Sequence, residues 1–449
     1  GSHLVRENLT LSSSISYVKV NTNNIARAHT TDGIGRGLLT TPPDFNLLPF
    51  LNPQTQYHRS STNESPLVPQ GPHSWNNPYW VLFEMMQKQE LNRSYGNIKI
   101  DYKPIDWATI SYNVGADYSF DKRLDVLPVG TYRDGGIGRM YRNLNNNLEW
   151  DANFIVTLDG NKLFGRPTKL TIGHNLNSRS SSTIKNLGNE QIVLNYFQME
   201  NFSSQTITEY LSLINTESVF AQVTHDVFDE IYLTAALRQD GSSSFGPADR
   251  NHLFRKLSSA WDFTKRFSVP FVNYGKIRAA YGEAGEQPEV YSIYSGYVSD
   301  NIGYFENKVS LGKAGVYNGV LGYVSDSRLG NSAIRPEKRS ENEIGLDLEF
   351  LDNRFGLSLT GYKATSKDVI FTMDVAPSTG SDKYTANGAI IENKGLEFSL
   401  SGNIINKKGF KWRSRFIYAR NENMLVEMNG VTKTSAQSLD LSNVPIDQL

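Results

Sequence analysis

The side chains best placed to do chemistry in this sequence are aromatic rings gathered in two polar stretches. Tyr291, Tyr294, Tyr297, Tyr304, Phe305, Tyr317 and Tyr323 lie between positions 283 and 340. Phe45, Phe50, Tyr57, Trp75, Tyr79, Trp80 and Phe83 lie between 21 and 93. Flat apolar rings stack on the faces of sugars, and tyrosine hydroxyls bond to ligand oxygens. This chemistry recognises a ligand without altering it. The alternative role is packing, one loop against another or against a capping partner. For Trp75, Tyr79 and Trp80, packing is the expected role.

Catalytic arrangements are harder to find. The seven histidines, His3, His29, His58, His73, His174, His225 and His252, have no metal-ligand spacing, and there is no cysteine to complete a zinc pattern. The segment Asp240-Gly-Ser-Ser-Ser-Phe-Gly246 lacks the Gly-Lys-Ser/Thr of a phosphate loop and is not a Gly-x-Ser-x-Gly elbow. It reads as a structural turn. Carboxylates are plentiful, but glycoside hydrolysis needs a pair at a defined separation, which spacing in the sequence does not supply. No covalent chemistry, cofactor or metal is expected.

Alternation shows which elements must position these rings. In Leu148-Glu-Trp-Asp-Ala-Asn-Phe-Ile-Val-Thr-Leu158 every second residue is apolar. The same period of two appears at 108–118, 344–350, 396–401 and 412–418. Weaker versions occur at 9–20, 95–103, 168–178, 217–226, 229–239, 253–264, 275–282 and 354–365. That predicts about 13 strands, each between two different environments. Short turns are predicted at 103–106, 226–229, 350–354 and 404–410. Long loops are predicted at about 21–93, 119–146, 179–215, 283–340 and 366–392. Eleven residues at about 3.3 Å each, tilted by about 40°, span roughly 28 Å, close to the apolar band of a transmembrane barrel. Trp107, Tyr118, Trp150, Trp412 and Tyr418 stand where aromatic girdles would lie. The fold class expected is all-β, an antiparallel transmembrane barrel with long extracellular loops. A soluble sandwich, propeller or β-helix, with the apolar face as a dry core, is the rival.

The 449 residues carry 45 basic and 46 acidic side chains, a net charge of −1, with 23 Tyr and 22 Phe. Near neutrality gives no footing for nucleic acid. No apolar run is long enough for a membrane helix. Lys99, Lys103, Arg278, Arg413 and Arg415 fall on polar strand faces, where they are expected to line a watery interior and pair with carboxylates.

Five stretches resemble the SusC/RagA-like branch of TonB-dependent outer-membrane transporters. They are NPYWVLFEMMQKQELNRSYGNIKIDYKPIDWATI at 77–110, LTAALRQDGSSSFGPADR at 233–250, KIRAAYGEAGEQ at 276–287, IRPEKRSENEIGLDLEFLDNRFGLSLTGYKATSKDVI at 334–370, and IENKGLEFSLSG at 391–402. They occur in family order. The resemblance implies a 22-stranded barrel with an N-terminal plug, a SusD-like lipoprotein cap, energy from the TonB complex, and import of an oligosaccharide or, in some members, a peptide. Residues 1–449 are then expected to be the barrel portion alone, with neither plug nor final strands, set in outer-membrane lipid. A passive porin and a secreted glycan-binding β protein remain as alternatives.

Overall fold

A computed structural model describes residues 1–24, 33–43, 45–51, 76–131, 136–165, 167–246, 249–298, 316–317, 320–321, 324–428 and 431–432. One antiparallel sheet dominates. Its long strands are β2 (Leu9–Asn24), β3 (Met86–Ile105), β4 (Ala108–Leu127), β5 (Arg139–Asp159), β6 (Thr168–Gln191), β7 (Phe202–Val227), β8 (Ile231–Ser242), β9 (Asn251–Asp262) and β10 (Val272–Glu286), followed by β16 (Glu337–Phe350), β17 (Phe355–Asp374), β18 (Lys383–Lys407) and β19 (Phe410–Met428). Short strands β1 (Ser2–Arg6) and β20 (Val431–Thr432) flank them. Between β10 and β16 lie the two-residue strands β11 (Tyr297–Val298), β12 (Val316–Tyr317), β13 (Val320–Leu321), β14 (Val324–Ser325) and β15 (Arg328–Leu329). Each long strand pairs with its sequence neighbour, and β15 adds one short parallel pairing to β18. Among the described residues β1 and β20 stand at opposite ends of the sheet without pairing to each other.

The thirteen predicted strands correspond one for one to these thirteen long strands. The turns are equally legible. Phe228 and Asp229 both have positive φ (58° and 57°) in the connection between the paired Val227 and Ile231, and Leu351, Asp352 and Asn353 do likewise (55°, 56° and 58°) between Phe350 and Phe355. The predicted loops at 119–146, 179–215 and 366–392 are wrong in extent. β4 runs on to Leu127, β6 to Gln191 and β17 to Asp374, so only short connections remain. β7 has 26 residues, about 85 Å of extended chain, well beyond an apolar band of about 25 Å. Past that band both faces meet water, so the ladder continues while the alternation that marks it fades.

Register then sorts the side chains. One face carries the rows Leu11–Ile100–Tyr112–Phe154–His174–Val219 and Leu9–Tyr102–Ile110–Val156–Ile172–Ala221. Further along the sheet the same face shows Trp261–Ile277–Leu346–Leu359–Phe398–Tyr418. These rings stay open: Tyr112 and Phe154 are each 45 % exposed, and Trp150 and Tyr418 are exposed as well. A dry core of the same chain would enclose them, so the sandwich expectation fails here. Toward the short-turn end Trp261 lies edge-on to Phe263 and Phe267, with centroids 6.1 and 6.0 Å away, and Phe350 stacks on Phe355 at 5.6 Å. No helix among the described residues is long and apolar enough to cross a membrane.

Buried side chains concentrate at the end where the longer connections lie. Trp80, Val81, Met85 and Leu127 form one cluster, and Val126, Met140 and Phe202 another. The first is built on α1 (Pro78–Phe83), where Asn77 Oδ1 caps the Tyr79 amide at 2.9 Å and Pro78 fills the first turn. The Asn-Pro-Tyr-Trp stretch is therefore a capped helix.

Candidate functional site

The polar face of the sheet is a network of side chains bonded across strands. Asn97 Nδ2 donates to Asn113 Oδ1 at 2.9 Å, Asn175 Nδ2 to Asn153 Oδ1 at 2.9 Å and to Asp151 Oδ2 at 2.8 Å, and Asn177 Nδ2 to Glu149 Oε1 at 3.0 Å. Ser14 reaches Asn97 at 2.5 Å, and Arg93 is paired with Asp117. Asparagine has poor strand propensity. Its repetition at alternate positions makes sense where one face must offer donors and acceptors to water and to passing solute. Alternation puts Glu149, Asp151 and Asn153 on one wet face; the bonds that join them to other strands depend on register, which the sequence alone does not supply.

A second network centres on Arg278 of β10. Its guanidinium lies across Gly345, where a Cβ would come within 2.6 Å of Cζ, and so reaches Glu343, Asp347 (3.2 Å) and Thr360 Oγ1 (2.5 Å). Asp347 also accepts from Ser358 at 2.7 Å. Lys99 meets Asp101 at 2.8 Å, Arg413 donates to Asn403 at 3.1 Å and Arg415 to Ser399 at 3.3 Å. Arg278, Arg413 and Arg415 join neighbouring strands, whereas Lys99 pairs within its own. Only Arg278 and Lys99 meet the carboxylates expected for the set, and Lys103 makes no ion pair among the described residues. No group of three or more His, Asp or Glu among the described residues is arranged to hold a metal.

The mouth is built at the far end of the same strands. Ser292 and Ile293 are buried and fix the segment after β10. The Asn331 amide donates to Ser292 O at 2.9 Å, the Asp326 amide to Gly296 O at 3.0 Å, and Arg328 pairs with Glu289 at 2.8 Å. Gly330 lies so close to the Tyr294 backbone that a Cβ would come within 2.1 Å of its carbonyl carbon. Asn387 of β18 then clamps Arg335 through two bonds, at 2.8 and 2.7 Å. On this base Tyr291, Tyr294 and Tyr297 are 48, 62 and 74 % exposed. Beside it the serine-rich turn packs inward: Phe245 is buried, and Ser242 Oγ donates to Gln287 Oε1 at 2.8 Å. A cleft of about 180 Å³ remains there, lined by Arg238, Asp240, Phe245, His252 and Gln287. The turn is structural, as its sequence indicated.

The predicted ligand-facing rings therefore separate. Tyr291, Tyr294 and Tyr297 share one exposed segment. Trp80 does not belong with them: it is 3 % exposed and its Nε1 is spent on Thr131 Oγ1 at 3.1 Å, so it offers a ligand no surface. Tyr317 lies in β12. Tyr304, Phe305, Tyr323 and Trp75 fall outside the described residues.

An open meander with one polar and one apolar face defines an outer-membrane barrel wall. Residues 19–448 match the family described as TonB dependent receptor-like, beta-barrel, and the chain belongs to that family. It is 25 % identical over 371 residues to TonB-dependent receptor P3 of Formosa agariphila, covering 79 % of this chain and 35 % of that protein. It is 25 % identical over 229 residues to TonB-dependent receptor SusC of Bacteroides thetaiotaomicron, covering 50 % of this chain and 22 % of that one. The RagAB peptide transporter structure superposes with a TM-score of 0.77 at 16 % identity, over 94 % of this chain and 46 % of that one. The chain spans about a third or less of the curated relatives it matches and under half of that structure. The family comprises receptors and transporters of the outer membrane, and this chain is similar to SusC in sequence and to the RagAB transporter in fold.

Proposed function

We propose that this chain supplies wall and mouth to a TonB-energised importer of a large polar nutrient, an oligosaccharide, captured together with a SusD-like surface lipoprotein. The reading rests on one observation above all. Tyr291, Tyr294 and Tyr297 stand exposed on a braced segment at the rim of a wall whose polar face is lined with amide side chains. Rings at the rim stack on sugar faces, and amides below exchange hydrogen bonds with hydroxyls during passage. The chain's part is binding and conduction, without a catalytic step; energy transfer through TonB belongs to the whole receptor.

A peptide is the second candidate ligand, favoured by the likeness to the RagAB peptide transporter. An array of Asn and Asp bonds to peptide groups as readily as to hydroxyls. Calorimetry on the full-length receptor with its lipoprotein, titrated with panels of oligosaccharides and of peptides, separates the two. Oligosaccharide binding weakened by Tyr294→Ala and Tyr297→Ala supports the proposal. Binding confined to peptides overturns the sugar assignment, and ligand affinity indifferent to both substitutions removes the mouth from the account.

A further inference from the structure

The apolar face does not end in neutral polar residues where the strands leave the hydrocarbon. On β2–β5, beyond the ring of Tyr17, Tyr118 and Trp150, register gives two successive rows on that face. One reads Lys88–Leu124–Arg142 and the next Glu90–Lys122–Leu144, with Lys19 beside Glu90 on β2. Four cations face one carboxylate. Glu90 is 3.9 Å from both Lys19 and Lys122, a loose contact, and neither Lys88 nor Arg142 has a carboxylate partner among the described residues.

Elsewhere along this face cations have close carboxylate partners. Lys338 meets Glu283 at 3.0 Å, Lys363 meets Glu392 at 3.0 Å, and Glu422 takes both Lys394 (3.1 Å) and Arg420 (2.6 Å). The β2–β5 patch is also concave. The connection after β6 brings Phe197 and Met199 onto the cluster of Val126, Met140 and Phe202, against which Leu124 packs. Below this ledge lies a pocket of about 780 Å³ lined by Lys19, Lys88, Lys122, Arg142, Leu124 and Leu144. The ledge itself exposes Ile192, Val193 and Leu194.

We propose that this pocket binds the phosphorylated headgroup of an outer-leaflet lipid. Its position, just outside the aromatic girdle on the lipid-facing side, is the depth of the headgroups. Lysine and arginine at a membrane surface attract anionic lipid, while their stems and the interleaved leucines accept its apolar parts. The inference goes beyond the importer reading and rests only on the chain's place in the outer membrane.

The test uses the full-length receptor in phosphatidylcholine nanodiscs containing a small fraction of lipid A, with retained lipid counted by native mass spectrometry. Lipid A should be retained, and dephosphorylated lipid A should not. Each cation removed is expected to cost about fivefold, so K88Q/K122Q/R142Q should lower retention on the order of a hundredfold. Glu90→Gln, which removes the patch's one carboxylate among the described residues, should raise it several-fold and serves if the triple variant fails to assemble. Equal retention by wild type and variants, or equal retention of the dephosphorylated lipid, would overturn the proposal. So would a triple variant that changes only the fraction of dimeric receptor, since the patch would then face a second copy.

Discussion

The two faces of β4 and β5 differ in almost every respect except backbone. On one, Tyr112 and Phe154 remain open, Ile110 and Val156 are half-buried, and none of the four side chains makes a hydrogen bond among the described residues. On the other, Asn113 is bonded to Asn97 of β3, and Asp151 and Asn153 are bonded to each other and to Asn175 of β6. A soluble sheet with one wet face would bury the apolar side and let the polar side point freely into water. Here the apolar side is bare and the polar side is knitted together. The difference follows from solvent. Hydrocarbon requires only that backbone polar groups be satisfied, which the ladder accomplishes. A watery passage in turn holds a row of amides and carboxylates that brace the wall between encounters with solute.

A charge placed on each face in turn should separate them most strongly. Phe154→Arg is expected to destabilise the full-length receptor by about 2–4 kcal/mol, the cost of a cation near the bilayer midplane, while its neighbour Asn153→Arg should cost less than about 1 kcal/mol. Equilibrium unfolding from lipid vesicles measures both, and equal costs would dissolve the distinction. Next comes Arg278→Ala, which leaves Glu343 and Asp347 without their shared cation and should cost about 1–3 kcal/mol in the same assay. Gly345→Leu should reproduce much of that loss by lifting the guanidinium off the strand, whereas Gly361→Leu, on the apolar face with open space around it, should be tolerated. Smaller still is Tyr297→Ala at the rim, with stability unchanged and oligosaccharide affinity down by about twofold to tenfold, the worth of a single stacking contact.

How much of this was legible in advance depends on depth in the membrane. Between Ala108 and Tyr118, or Leu148 and Leu158, each residue reports its solvent by type, so strand, face and girdle could be read directly. Beyond Asp121 or Asn146 both faces are wet, and sequences such as Asn145-Asn-Asn147 look like loop although they sit in continuous ladder. The turn at Ser242–Phe245 was recognised as structural from its composition. The bracing of the mouth was not, because it depends on pairs far apart in the chain: Asn331 with Thr385 and Asn387 with Arg335. Trp80 is the easier case: its place beside Asn-Pro-Tyr-Trp pointed to packing, and a capped helix folds the ring into a buried cluster.

The account stands on the apolar face meeting lipid. The 449 residues contain no cysteine, so single cysteines placed in turn at positions 149–156 of the full-length receptor, in bilayers, can carry spin labels. Accessibility to lipid-soluble oxygen should peak at 150, 152, 154 and 156, and accessibility to a water-soluble nickel chelate at 149, 151 and 153. Labels at 150 and 154 shielded from both reagents would place those side chains in a protein interior and contradict the account.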